Sequence, residues 1–107
     1  MVTVEKCLLI DYTAAPKLHD SKKSTRLVHK PGDTFNVSCE VIGGTPTPVI
    51  TWSRDGHLLM TSPRAEVTGS QLIVTPLQVD DGGLYRCTAS NLVGEDYLVF
   101  RLVVEGE

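Results

Sequence analysis

The sequence predicts an all-β domain in which two antiparallel sheets pack face to face. Two observations carry that prediction. Short segments alternating apolar and polar residues recur at about 8–12-residue spacing between turn residues, and no stretch carries a convincing 3.6-residue period. Two cysteines, Cys39 and Cys87, fall on the inward faces of two such segments 48 positions apart, and Trp52 lies 13 residues after the first. The alternation alone allows a sandwich or a barrel. A disulfide joining two sheets through the core, with an indole packed against it, satisfies all three placements at once. Closing that loop contributes roughly 4 kcal/mol on the chain-entropy account, against a whole-domain stability of ~5–15 kcal/mol.

The elements follow in order. "TFNVSCEVI" (34–42) sets Phe35, Val37, Cys39 and Val41 against Asn36, Ser38 and Glu40, the pattern of a half-buried strand. "GGTPTP" (43–48) is too rich in Gly and Pro for a helix or a central strand. "VITWS" (49–53) puts Ile50 and Trp52 on one face, and "RDG" (54–56) reads as a turn. "QLIVT" (71–75) turns Leu72 and Val74 inward. "GLYRCTAS" (83–90) turns Tyr85, Cys87 and Ala89 inward, "NLVG" (91–94) is another turn, and "EDYLVFRLVV" (95–104) is a long β-branched and aromatic strand. Residues 1–15 do not match this pattern and read as an N-terminal extension, a linker or a non-native remnant, with "AAP" (14–16) the linker; the domain is expected over 16–105. The Met1 start and the "VEGE" end suggest a piece of a longer chain.

Composition narrows the function. The 107 residues are 41% hydrophobic and 21% charged, with a net charge of −3, which gives no global attraction to nucleic acid or membrane. No apolar run reaches the ~20 residues of a membrane span. His19, His29, His57 and the cysteines sit in no zinc-ligand spacing, so no metal or other cofactor is expected. Neither a nucleophile–base pair nor a phosphate-cradling loop is legible, and the chain reads as non-enzymatic. Cys7 is left over once Cys39 and Cys87 pair.

The octapeptide "DDGGLYRC" (80–87) lines up Asp81, Gly83, Tyr85 and Cys87 at every second position. With "CEVIGGTPTPVITW" (39–52), "LIVTPLQVDDGGLYRC" (72–87) and "ASNLVG" (89–94), it resembles the immunoglobulin superfamily, and within it the I-set type. The resemblance covers 16–104 and implies an immunoglobulin-like Greek-key β-sandwich. Only 55–63 separates the turn after the Trp strand from Arg64, which leaves no room for the two extra edge strands of a variable domain. It further implies that Tyr85 bonds back to the backbone near Asp81, that Asp81 pairs with Arg64, that Gly83 makes room or takes a positive φ, and that Leu72 and Trp52 belong to the core.

Four functional candidates remain. "NVS" (36–38) makes Asn36 a glycosylation candidate on an outward strand position, and chance occurrence is the alternative. The outer face of the segments 49–53, 83–90 and 95–104 carries Val49, Leu84, Arg86, Thr88, Tyr97, Val99 and Arg101, a mixture suited to a protein interface. Lys22, Lys23, Arg26 and Lys30 form a basic segment that could bind heparan sulfate, or could simply guard an edge strand with charge. "HLLM" (57–60) offers a sticky loop, or residues tucked under the core edge. The function expected is a non-catalytic binding or adhesion module of a larger extracellular, membrane-anchored or matrix protein, recognising a protein partner homophilically or heterophilically. The alternatives are an intracellular spacer of the muscle cytoskeleton and a glycosaminoglycan-binding domain.

Overall fold

The computed structural model describes residues 13–106; Cys7 and most of the N-terminal extension lie outside the described residues. Among the described residues ten strands follow in chain order: β1 (Ala14–Leu18), β2 (Ser24–His29), β3 (Phe35–Ser38), β4 (Val41–Thr45), β5 (Val49–Arg54), β6 (His57–Leu58), β7 (Ala65–Thr68), β8 (Gln71–Val74), β9 (Gly83–Ser90) and β10 (Glu95–Val104). A 3₁₀ turn, Val79–Asp81, precedes β9. One sheet runs β2-β10-β9-β5-β6, the other β3-β8-β7, and a β1-β4 pair continues the second layer beyond β3.

Most ladders are antiparallel, as expected. The exception is β2, which runs parallel to β10 from Ser24↔Val99 to His29↔Val104. The crossing segment 19–23 carries the chain from one layer to the other, so β1 and β2 belong to different sheets. β1 begins at Ala14, taking in all three residues of the "AAP" that the sequence had suggested as linker. The strand expected over 34–42 is divided at Cys39–Glu40, and its second half extends through Gly43 and Gly44. Those glycines are tolerated because β4 is paired only with β1. The "RDG" turn is tighter than read: Arg54 still pairs with His57, and Asp55 and Gly56 alone turn the chain, both at positive φ (50° and 85°).

The core follows from the alternation. Phe35, Val37 and Cys39, with Leu72 and Val74 beside them in the same sheet, face Tyr85, Cys87, Ala89, Leu98 and Leu102 across the sandwich, all buried. The Cys39–Cys87 disulfide joins the layers, and Trp52 is the cross-strand neighbour of Cys87. The Trp52 ring stacks on Phe100 at 6.0 Å between centroids, and its Nε1 donates to the Gly69 carbonyl at 3.0 Å, which satisfies the one polar atom the indole brings inside.

Candidate recognition surface

Asp81, Gly83, Tyr85 and Cys87, the alternate residues of "DDGGLYRC", act within the fold. Arg64 holds Asp81 through two donors, Nη1 to Oδ2 at 2.8 Å and Nη2 to Oδ1 at 3.1 Å, and the Gln78 N–H donates to Oδ2 at 2.7 Å. Burial alone would push the Asp81 carboxyl up; the Arg64 fork and the Gln78 N–H outweigh it and hold the pKa below the usual value. The Tyr85 hydroxyl donates to the Asp81 carbonyl at 2.5 Å, the corner that the sequence implied, while burial raises its pKa. Gly83 has φ 154°, and a Cβ there would meet Asp55 Oδ2 at 2.7 Å. Asp55 needs that space because its Oδ1 accepts from the Leu84 N–H at 2.9 Å. Arg54 donates to the Asp80 and Gly82 carbonyls and closes the same end.

One buried charge has no counterpart in the sequence reading. Asp96 is buried on β10 and collects the Leu18 N–H (2.8 Å), the Ser21 hydroxyl (2.6 Å), its neighbour's Tyr97 N–H (2.9 Å) and Lys22 Nζ (3.3 Å). Burial raises its pKa, and these four donors more than reverse that, holding it at about 2. Asp96 therefore fastens the crossing between β1 and β2. The signal was present: it has the parity of buried Leu98 and Leu102, so one more step of the alternation places it inside.

Among the described residues none covers the outer face of the five-stranded sheet. β2 extends that sheet at its edge and does not cap it. Register fixes the rows. Arg26, Arg101 and Leu84 lie side by side on β2, β10 and β9; the next row is Ser24, Val99, Arg86 and Ser53; the next is Tyr97, Thr88 and Thr51. Val49 is 63% exposed, Val28 48% and Leu84 37%. The Arg86 guanidinium lies over the Tyr97 ring at 4.1 Å from its centroid. Thr88 and Val99 are half-buried in this face. Beside it a groove is lined by Leu58, Leu84, Arg86, Thr88 and Glu95.

The other candidates fall elsewhere. Asn36 is exposed on β3, on the opposite sheet, where its Oδ1 accepts from Gln71 Nε2 at 3.0 Å. The basic segment is divided: Lys22 is drawn to Asp96, Lys23 to Asp20, and Lys30 lies past the far end of β2, about 20 Å of strand away. Of the four, Arg26 stands on the outer sheet face, and Lys22 Nζ reaches its edge, 5.7 Å from the Tyr97 ring centroid. In "HLLM", Leu59 packs against the core while Leu58 and Met60 are 65% and 71% exposed. Among the described residues no cluster of His, Cys, Asp or Glu could hold a metal ion.

A two-layer sandwich pinned by an inter-sheet disulfide, with an indole beside it and a tyrosine bonded back across its lower corner, defines the class of an immunoglobulin-type domain. A family profile described as "Immunoglobulin domain" matches residues 16–91, and the chain belongs to that family. It is 40% identical over 86 residues to "MAM domain-containing glycosylphosphatidylinositol anchor protein 1" of Gallus gallus, covering 80% of this chain and 9% of that protein. It is 34% identical over 102 residues to "Neural cell adhesion molecule 1" of Mus musculus, covering 90% of this chain and 9% of that protein. The chain thus spans about a tenth of the length of these relatives. Among solved structures it resembles the titin M3 domain, with a TM-score of 0.75 and 25% identity over 88% of this chain and all of that one.

Proposed function

We propose that this domain is a non-catalytic recognition module of a larger extracellular protein, binding a protein partner through the outer face of the β2-β10-β9-β5-β6 sheet. The observation that carries this reading is that face itself. It presents exposed Val49 and Leu84 among Arg86, Arg101, Thr88 and Val99, with an aromatic–arginine stack of Tyr97 and Arg86 among them. Aromatic and arginine anchors among apolar groups are the composition of interface hot spots. The relatives whose names specify cell adhesion and a glycosylphosphatidylinositol anchor support a surface setting. The Cys39–Cys87 bridge supports an oxidising compartment over the interior of a muscle cell, where the titin likeness would otherwise point. Glycosylation of Asn36 is part of the same proposal, because a glycan on the β3-β8-β7 sheet leaves the recognition face clear.

The test is staining of intact cells with a multimerised domain. Leu84→Ser with Val49→Ser removes apolar contact from the face without touching the core, and staining should fall at least tenfold. Unchanged staining, with the variant folded by circular dichroism, refutes the reading.

A further inference from the structure

We infer that the partner presents carboxylates to this face, and that Arg26, Arg101 and Arg86 receive them; the inference rests on the recognition reading above. The parallel register puts Arg26 directly beside Arg101. Strands in a sheet lie ~4.8 Å apart, and like charges directly opposite destabilise the pairing. Among the described residues no ion pair offsets that repulsion. The ion pairs among the described residues engage Lys22, Lys23, Arg54, Arg64, His19 and His29, and none engages Arg26, Arg86 or Arg101. Acids stand at the ends of the face. Asp55 is occupied by the Leu84 N–H and by Arg54, Glu95 begins β10, two same-face positions before Val99, and Glu105 directly follows β10, four residues after Arg101.

The three arginines are exposed and lie in two adjacent rows of one sheet face. Arg86 is held over Tyr97, which fixes its plane and leaves N–H donors at its edge for an incoming acceptor. Guanidinium groups meet carboxylates through two parallel hydrogen bonds. The chain as a whole carries −3, so the positive face is a local feature and not a consequence of a basic composition. Leu84 and Val99 interleave with the arginines in the same rows. Apolar groups between the charges suit a protein segment, which can bury them, better than a uniformly sulfated polysaccharide, which cannot. An acidic protein segment with apolar residues between its carboxylates is therefore the occupant.

A random-peptide display library selected on the immobilised wild-type domain tests this. The selected peptides should be enriched in Asp and Glu. Their affinity should fall at least tenfold in Arg26→Gln/Arg101→Gln and in Arg86→Gln, and should fall with added salt. Arg26→Gln alone should raise the thermal midpoint of unfolding, because it relieves the like-charge pair; a lowered midpoint would mean the arginine serves the fold and would overturn the inference. Peptides that lose binding in Leu84→Ser/Val49→Ser but carry no acidic enrichment, or ignore the arginine substitutions, overturn it while leaving the recognition reading intact. Peptides indifferent to Leu84→Ser/Val49→Ser overturn both. Arginine-dependent retention on heparin without acidic peptides assigns the face to a sulfated polysaccharide instead. An arginine-dependent dimer in sedimentation assigns it to a second copy. Both of these results also overturn the inference.

Discussion

Protonating Asp96 should loosen the crossing that carries the chain from one layer to the other. Its carboxylate is held at about 2, against an ordinary value of 3.8, by the Ser21, Leu18, Tyr97 and Lys22 donors that outweigh the cost of its burial. A depressed folded-state pKa means stability that is present above the unfolded value and lost as pH falls through the folded one. The difference corresponds to about 2.5 kcal/mol at neutral pH, at ~1.36 kcal/mol per unit. Roughly half of that is gone by pH 3 and most of it by pH 2. Urea unfolding between pH 7 and pH 2 measures it, with Asp96→Asn as the comparison. The variant should be less stable by about 2 kcal/mol at pH 7, since an amide cannot accept all four donors, and should approach wild type near pH 2. Asp81 is also depressed, so the variant keeps part of the acid sensitivity. Parallel stability curves for the two proteins down to pH 2 would refute the reasoning.

Replacing Cys39 and Cys87 by Ala should cost roughly 4 kcal/mol in denaturant unfolding; a loss under about 1 kcal/mol would mean that the bridge does little for the fold. Tyr85→Phe strands the Asp81 carbonyl without its 2.5 Å donor and should cost about 1–2 kcal/mol with the fold intact; an unchanged midpoint contradicts the corner's role. Peptide mass spectrometry of protein secreted from mammalian cells should find a glycan on Asn36, and an unmodified Asn36 removes that part of the functional proposal.

How much of this was legible depended on whether alternation ran unbroken. β9 and β10 occupy the residues read for them, because Tyr85, Cys87, Ala89 and Leu98, Leu102, Val104 alternate without interruption over long strands. β4 was not legible beyond residue 42, since Gly43 and Gly44 carry no side-chain pattern and are held only by pairing with β1. Asp96 was legible by parity but masked by its charge, which ordinarily points a residue outward. The arginine row was out of reach for a different reason. Arg26 and Arg101 are 75 positions apart, and only the parallel register of β2 on β10 makes them neighbours. A segment that read as a run of lysines and arginines is thereby divided between a capped corner at Lys22 and an open face at Arg26.

The central claim is that the outer face of the five-stranded sheet is the working surface, and a glycan placed there tests it most directly. Val49→Asn, with Ile50 and Thr51 following, completes an acceptor sequence at a position 63% exposed on that face. The native Asn36 on the opposite sheet serves as the control. With occupancy confirmed by mass spectrometry, the Val49→Asn domain should lose cell staining at least tenfold, and enzymatic removal of the glycan should restore it. Full staining by the occupied variant would contradict the account.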